Sequence, residues 1–487
     1  MLRSWSLKLS ITSKSNLPVY LQIAQQITDE IQRGRLAPST AMPGTRELAS
    51  ELNVNRKTVI LAYDELIAQG WLVTEKRRGT FVSAKLPRFN SKIKATKASQ
   101  VTSSEIEINT HILLNYQSPN PTHVDFNDGI PDTRLIPLNI ISRAFRHALH
   151  GGSKSYKLGY GNPLGIEELR KSISTMLNME RGLSVSINQV CLTRGSQMGI
   201  FLAARVLTKP NDYVVFEELS YPAAREAFRS CGANILTVAQ DKSGLDVIEL
   251  KKLCQQHPIK AIYVTPHHQF PTTVSMTAER RLKLLMLSEE YGFTIVEDDY
   301  DHEFHFSHRP VFPLASTNHR DRVVYVGSLS KVLAPSLRVG YLVASQEFIE
   351  ACAREVMLID RQGNSITELA LAELLDSGEV KRHIRRTFKI YNERRNLLIK
   401  LIKTELGEFV EFDAPDGGLA IWLLLKEDID ITKLLVATEK TKVRILPSSL
   451  FSESYHQISG IRLGFGSLSD AELEKGIAAL KEAFLQV

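Results

Sequence analysis

The chain has 487 residues, of which 43% are hydrophobic and 23% are charged. This length favours two or three domains, and this balance is typical of a globular protein rather than a disordered one. Without a long apolar run or an N-terminal apolar segment, the sequence predicts a cytoplasmic protein with no membrane span and no signal peptide. Its four cysteines lack C-x-x-C spacing, which favours reduced thiols over a disulfide framework or a zinc site.

The positive charge of the chain is concentrated at its N-terminal end. Residues 1–85 contain 12 Lys and Arg and 7 Asp and Glu, whereas the net charge of the whole chain is only +6. A basic excess confined to one segment is typical of a nucleic-acid-binding module, although a basic face can also be ordinary solvated surface.

The predicted elements of residues 1–84 follow the plan of a winged helix-turn-helix domain. Helical patterns cover residues 19–34, 45–52 and 55–70, and two short strands, WLVTE and TFVS, flank a basic turn. In this plan the second helix of the pair enters the major groove with its N-terminal side chains. The predicted DNA contacts lie at the starts of the two helices and in the turn: Arg46, Asn55, Arg56, Lys57, Thr58, Lys76, Arg77 and Arg78. A small helical oligomerisation module with a solvated basic surface is the alternative.

Residues 85–121, rich in Ser, Thr, Asn and Lys, predict a linker between this head and a body over residues 122–487. In the body, β-like runs alternate with amphipathic helices. The runs include DYVVFEE, KAIYVTP, FTIVEDDY and RVVYVGSLS. This alternation predicts an α/β domain with a mostly parallel sheet covered by helices.

Lys331 ends the motif SLSK after one of these strands, and its neighbours suit a phosphorylated aldehyde cofactor. The hydroxyls of Ser328 and Ser330 and the guanidinium of Arg338 suit a phosphate dianion. Asp298 and Tyr300 end another strand, at the rim where α/β sites are built. Pyridoxal phosphate needs an aspartate to keep its ring nitrogen protonated, and a lysine of lowered pKa to form its imine. The pattern therefore predicts a pyridoxal phosphate site with Lys331 as the reactive amine.

Upstream, TRGSQ predicts a strand, a tight turn and a helix start. The backbone amides of Ser196 and Gln197 would face the phosphate, and Tyr221 is a candidate for stacking on the ring. The other histidines, including His302, His305 and His308, do not have convincing metal-ligand spacing, so they are interpreted as surface or packing residues and no metal site is expected.

Two families are recognisable in these motifs. The stretch from MPGTRELASELNVNRKTVILAYDELIAQGWL to RRGTFV resembles the GntR-type winged helix, with Gly44-Thr45 in place of a usual serine pair. Residues 125–480 resemble the fold-type I aspartate aminotransferases through motifs that include GYGNPLGIEELR, VTPHHQFPT, VEDDYDHEF, GSLSKVLAPSLRVGY and IRLGFGSL. The combined layout is similar to that of MocR-type regulators.

The resemblance implies a smaller C-terminal α+β subdomain and supports the cofactor assignments above. It also implies that Arg462 binds the carboxylate of an effector or substrate, that His268 lies beside the cofactor ring, and that Tyr160 reaches the site of the neighbouring subunit in a homodimer. The chain departs from the family at two positions: Thr273 replaces a glycine, and His267 replaces a commonly small residue.

The function expected from this layout is that of a regulator which binds operator double-stranded DNA. It would sense pyridoxal phosphate, or an amino compound that forms an external aldimine with it. Two alternatives remain open on sequence alone: a working aminotransferase with an accessory DNA-binding head, and a DNA-binding protein whose body is an empty scaffold.

Overall fold

A computed structural model describes residues 9–12, 17–86, 122–154, 158–306, 311–317, 320–329, 331–452 and 458–487. The chain divides into two compact units, Met1–Asn109 and Thr110–Val487. The predicted linker lies outside the described residues apart from its first two positions, and so do Ser330 and His308, so these predictions stay untested. No helix in the described ranges is both long enough and apolar enough to cross a membrane.

The N-terminal unit has the winged helix-turn-helix plan that the sequence predicts. Its elements are α1 Val19–Gln32, α2 Thr45–Glu51, α3 Arg56–Ala68, β1 Leu72–Glu75 and β2 Gly79–Val82. The two strands pair antiparallel. The apolar stripe of α1 is buried at Ile23 and Ile27, where it belongs to one core with Val59 and Leu66 of α3. The predicted helices end one or two residues too late because Gly34 and Gly70, in the left-handed region, follow the last helical turns.

The second unit alternates strands and helices. Its strands are β3 Val124–Asp125, β4 Val190–Thr193, β5 Tyr213–Glu217, β6 Asn234–Val238, β7 Gln240–Asp241, β8 Gly244–Leu245, β9 Ile259–Val264, β10 Thr294–Asp299, β11 Val323–Ser328, β12 Gly340–Val343, β13 Val410–Glu411, β14 Ala420–Leu425, β15 Val443–Arg444, β16 Leu446–Pro447 and β17 Gly460–Gly464. Its helices are α4 Leu138–Lys154, α5 Glu167–Glu180, α6 Gly195–Leu207, α7 Pro222–Ser230, α8 Val247–Gln256, α9 Ala278–Tyr291, α10 Gln346–Ile359, α11 Ser365–Asp376, α12 Glu379–Leu401, α13 Ile431–Thr441 and α14 Asp470–Phe484.

The large sheet has the order β4-β12-β11-β10-β9-β5-β6. The neighbours β11, β10, β9, β5 and β6 pair in parallel, and β12 pairs antiparallel with both β11 and β4. Its central strands β9, β10 and β11 are buried apart from Lys260 and Thr294 near the strand starts, since helices cover both faces. The prediction of a mostly parallel α/β sheet is confirmed.

A smaller antiparallel sheet forms the C-terminal subdomain, with the order β13-β14-β17-β16. The helices α12 and α14 and the strand β3 contribute to its apolar core through Leu398, Ile477 and Val124. Because β3 pairs with β15, the start of the body belongs to this subdomain as well.

Candidate functional site

The residues predicted to bind the cofactor lie at one edge of the large sheet. Parallel β10 and β11 place Asp298 opposite Val326, and both strands end at this edge. Antiparallel β12 begins there, with Gly340 opposite Ser328 on one side and opposite Thr193 on the other. Strand ends that are far apart in the sequence therefore meet at a single rim.

Lys331 follows β11 at this rim, and its Nζ lies 4.5 Å from the centroid of the Tyr300 ring. The surrounding protein desolvates the ammonium group and lowers the pKa of Lys331, although the carboxylates of Asp128 and Asp301 oppose this effect. A lowered pKa increases the fraction of neutral amine, which is the form that attacks a carbonyl carbon.

Asp298 is 4% exposed, and its two oxygens have different surroundings. Oδ2 accepts a 2.7 Å hydrogen bond from the hydroxyl of Tyr263. Oδ1 is buried and has no hydrogen-bond partner among the described residues. Burial raises the pKa of Asp298 to about 7, despite the opposing bond from Tyr263. A buried carboxylate with one unsatisfied oxygen is suited to a cationic N–H donor.

The start of α6 forms a corner with the first residue of β12. Gly195 opens the helix with φ +75°, and a Cβ on Gly340 would lie 2.8 Å from the backbone nitrogen of Ser196. Glycine at both positions therefore lets β12 approach the helix N-terminus closely. The amides of Ser196 and Gln197 fall in the first turn, where the helix supplies no acceptor.

Arg338 lies against the same corner. Its Nη2 donates to the carbonyl oxygen of Arg194 at 3.1 Å, and a Cβ on Gly195 would lie 2.8 Å from it. Ser328 is buried at the end of β11. The structure thus brings together the helix start, the guanidinium and the rim of the sheet. Binding of a phosphate there stays a prediction.

Tyr221 and His268 also lie near this rim. The ring of Tyr221 is half-buried and meets Phe270 edge-on at 5.4 Å. Burial raises the pKa of Tyr221 to about 12, with contributions from nearby charges that include Asp298. His268 is 1% exposed, and its Nδ1 lies 2.8 Å from Oδ1 of Asp301. Contact of either ring with the cofactor stays a prediction.

Arg462, on β17, is only 1% exposed. Its guanidinium donates to the carbonyl oxygens of Pro271 at 2.6 Å and Asp128 at 3.1 Å. It also lies over the Phe270 ring, 4.7 Å from the centroid. Within the described ranges no carboxylate forms an ion pair with Arg462, so this buried cation is held only by neutral groups and is suited to an anionic ligand.

Tyr160 is not part of this cluster within one chain. Its side chain is 85% exposed, and the guanidinium of Arg361 lies 5.4 Å from its ring centroid. It borders a surface cavity of about 600 Å³ together with Arg170 and Glu168. Its predicted role in the site of a neighbouring subunit stays a prediction.

In the head, the side chains predicted to contact DNA surround the start of α3. Asn55 caps the helix by accepting the Lys57 amide at 2.9 Å. Arg56 donates to the hydroxyl of Thr45 at 3.3 Å, which links α3 to the start of α2. Arg46, Arg56 and Lys57 are exposed. Thr58 is half-buried.

The hairpin turn presents the remaining basic residues. Lys76, Arg77 and Arg78 are exposed between β1 and β2, with Arg77 at φ +65°. Arg78 forms a 2.5 Å ion pair with Glu75 and lies 5.4 Å from the Phe81 ring centroid. Arg78 is therefore partly neutralised, whereas Lys76 and Arg77 have no ion pair in the described part of the chain.

The structure also shows features that spacing along the sequence does not reveal. Tyr263 emerges as the partner of Asp298. Four histidines lie close together: His267, His268, His302 and His305. His302 and His305 are buried. Of the two interpretations that the sequence allowed, surface or packing residues, they are therefore not surface residues. Thr273 has φ +63°, the conformation that favours the glycine it replaces.

Comparison with known proteins agrees with this architecture. The family described as aminotransferase class I and II matches residues 123–480, and the family of bacterial regulatory proteins of the gntR family matches residues 19–82. The uncharacterised HTH-type transcriptional regulator YdeL of Bacillus subtilis (strain 168) is 30% identical, covering 96% of this chain and 97% of its own. The probable rhizopine catabolism regulatory protein MocR of Rhizobium meliloti is 28% identical, covering 98% and 96%.

Among solved structures, the chain is similar to LysN, an alpha-aminoadipate aminotransferase from Thermus thermophilus, which was crystallised with N-(5'-phosphopyridoxyl)-L-leucine. The TM-score is 0.70 at 25% identity, covering 75% of this chain and 92% of that chain. The two family matches and the full-length relatives define one architecture. The chain therefore belongs to the MocR-type transcriptional regulators, in which a GntR-family helix-turn-helix head is fused to a class I and II aminotransferase body.

Proposed function

We propose that this regulator binds pyridoxal phosphate at Lys331 and senses either that cofactor or an amino compound that reacts with it. One observation carries the proposal. The Lys331 Nζ lies 4.5 Å from the Tyr300 ring centroid, at the rim where the buried Asp298 retains an oxygen without a partner among the described residues.

The residues at the rim match the three parts of the cofactor. When bound, pyridoxal phosphate supplies an aldehyde that condenses with primary amines and a ring that withdraws electrons. Lys331 offers the amine, and its lowered pKa increases the share of the reactive neutral form. Asp298, through Oδ1, would keep the ring nitrogen protonated, and Tyr300 would lie near the ring oxygen. The start of α6 and Arg338 would hold the phosphate.

Arg462 gives the site selectivity for compounds that carry a carboxylate. Its present acceptors are the carbonyl oxygens of Asp128 and Pro271, which a carboxylate would replace with stronger, charge-assisted bonds. Arg462 belongs to the small subdomain, and Pro271 follows β9 of the large sheet. An effector that changes these contacts would therefore bias the relative position of the two parts of the body. It does so only by the difference in its affinity for the two positions.

Two findings outside the site support this proposal. The structurally similar aminotransferase LysN holds a phosphopyridoxyl amino acid. The basic groups at the start of α3 and in the hairpin form a surface suited to DNA phosphates and base edges. We infer that Arg46, Asn55, Arg56, Lys57, Thr58, Lys76, Arg77 and Arg78 form the operator-binding surface.

The direct test is to titrate the purified full chain with pyridoxal phosphate and record the absorbance band of the imine. Wild type should develop the band at one equivalent per chain, and Lys331→Ala should not. Lys260→Ala, which removes an exposed lysine from β9, is the matched control and should behave as wild type. An unchanged band in Lys331→Ala would refute the site, and no band in wild type would favour the scaffold alternative.

Signalling is tested by operator affinity in the presence and absence of candidate amino acids and amines. A change in affinity that depends on both the ligand and Lys331 supports the sensor. Steady-state turnover with an amino donor and a keto acid, without any effect on operator affinity, would instead favour the aminotransferase with an accessory head.

A further inference from the structure

Four buried histidines form a cluster beside the proposed cofactor pocket. His267 and His268 follow β9, and His302 and His305 follow β10. Their exposed fractions are 4%, 1%, 6% and 7% in that order. The cofactor assignments use only His268, so the other three rings have no role in the site described above.

Three of these rings are arranged for a common ligand. His267, His268 and His305 each offer a nitrogen, and the three nitrogens lie within 4.8 Å of one another. The ring centroids of His267 lie 5.1 Å from His268 and 5.7 Å from His305, and His268 and His305 stack at 5.5 Å. In a tetrahedral zinc site the nitrogens are roughly 3.3 Å apart, because each Zn–N bond is about 2.0 Å. Small rotations of the three imidazole rings would bring the nitrogens to this separation.

His268 also has the second contact that is typical of a metal ligand. Its Nδ1 lies 2.8 Å from Oδ1 of Asp301, and its Nε2 is buried without a hydrogen-bond partner in the described part of the chain. Metal-binding histidines usually donate the other ring N–H to a carboxylate in this way, which fixes the tautomer and orients the ring. A Cβ on Gly417 would lie 2.3 Å from Nε2, so only glycine leaves this nitrogen accessible.

The Nε2 of His267 is likewise buried without a partner among the described residues. A buried nitrogen that has lost its water and gained no hydrogen bond destabilises the fold, and a bound cation would remove this penalty. His267 and His268 are adjacent, and each has a buried Nε2 without a partner in the described ranges. A shared ligand would account for both nitrogens, whereas packing alone would not.

A second grouping, His267 with Asp299 and His302, has the same spacing. Its carboxylate is already engaged, because Asp299 Oδ2 accepts from the Tyr325 hydroxyl at 2.6 Å and pairs with Arg181 at 3.4 Å. Binding a metal there would disrupt this buried network. In the three-histidine grouping, the contact of His268 with Asp301 uses Nδ1 and leaves Nε2 for a metal.

We propose that His267, His268 and His305 bind one divalent transition-metal ion of the zinc class, with Asp301 orienting His268. Three neutral imidazoles and a water molecule complete a tetrahedral set, which zinc and cobalt(II) accept readily. The site uses only this chain's own side chains and shares His268 with the predicted cofactor contacts.

The test uses untagged full-length protein that has been treated with a chelator and dialysed, and then titrated with cobalt(II). Wild type should develop the visible absorption of tetrahedral cobalt at one equivalent per chain, and zinc should displace it. His305→Gln should weaken binding at least 100-fold. Absence of the cobalt signal in wild type would overturn the proposal, as would an unchanged affinity in His305→Gln.

Two controls locate the site. The double variant His147→Gln/His150→Gln removes exposed histidines of α4 and should bind cobalt as wild type does, whereas loss of binding would reveal adventitious surface binding. His302→Gln should also retain binding, and its loss would overturn the proposal in favour of the second grouping. If His305→Gln does not fold, the thermal midpoint of the wild-type protein is measured with and without zinc. One equivalent of zinc should raise this midpoint by several degrees. No rise would refute the site.

Discussion

The head and the body present their functional groups in opposite ways. In the head, the basic residues at the start of α3 and in the hairpin are exposed, and they lie within a short stretch of sequence above a separate apolar core. In the body, Lys331, Asp298 and Arg462 come from three distant segments, and Asp298 and Arg462 are almost fully buried. Exposed cations need no partner, whereas a buried charge is costly unless it is paired.

This difference indicates where ligand binding should change the energy of the fold. A DNA contact in the head adds to a structure whose core is already complete. In the body, ligands would satisfy groups that folding leaves without partners in the described part of the chain, such as Asp298 Oδ1. Binding of a small ligand should therefore raise the stability of the body considerably. Removing or adding a basic side chain should change the stability of the head much less. Four substitutions, at Arg462, Arg56, Glu217 and Thr273, test this contrast between the body and the head.

Arg462→Lys should weaken the binding of an amino acid effector roughly 10- to 100-fold, because a bidentate charge-assisted contact contributes about 1.5–3 kcal/mol. Isothermal titration of the cofactor-loaded protein measures this effect. Amines without a carboxylate should bind as before. Arg444→Lys, at a half-buried ion pair with Asp125 in the same subdomain, is the matched control. An equal loss for amines that lack a carboxylate would contradict the assigned role.

Arg56→Ala should weaken operator binding by about 1–3 kcal/mol, or roughly 5- to 150-fold, and leave the imine band unchanged. Fluorescence anisotropy at fixed salt concentration measures the first effect, and absorbance the second. Arg33→Ala removes an exposed arginine just beyond α1 and should change operator affinity much less. Unchanged affinity in Arg56→Ala would show that the major-groove assignment is wrong.

Glu217→Gln should alter the pH dependence of body stability. Burial raises the pKa of Glu217 to about 8, although the Gln269 amide opposes the shift. Between pH 5 and 8 the unfolded chain has lost a proton that the folded chain still holds, so this group makes wild-type stability fall as pH rises, by at most about 1.4 kcal/mol per pH unit.

The thermal midpoint of Glu217→Gln should therefore rise relative to that of wild type as the pH increases from 5 to 8. Differential scanning fluorimetry of cofactor-free protein measures the difference at each pH. A constant difference for Glu217→Gln would show that this carboxyl is ionised in the folded body.

Thr273→Gly should stabilise the body by up to about 1 kcal/mol, because a β-branched residue in the left-handed region is strained. The matched change in the head is Asn53→Gly, at φ +52°. Asparagine tolerates this conformation better, so the gain there should be smaller. Chemical denaturation of each variant compares the two, and a larger gain in the head would contradict the strain argument.

The helices and strands, and the position of the rim, could be predicted from the sequence alone. The helical patterns, the cap at Asn55 and the turn glycines fix the head, because each depends on residues a few positions apart. Lys331, Asp298 and Tyr300 could be placed at one site because parallel strands end at the same edge of a sheet. The departure at Thr273 was also visible, although its strained backbone was not.

The contacts between side chains that are distant in the sequence could not be predicted in this way. The bond from Tyr263 to Asp298, the carbonyl acceptors of Arg462 and the convergence of the four histidines depend on strand register and loop packing between separate segments. Periodicity reports which face of an element is buried, but it carries no information on which residue of another element lies opposite. The spacing of the histidines within one segment therefore predicts no metal site, whereas the metal site proposed here needs residues from two segments.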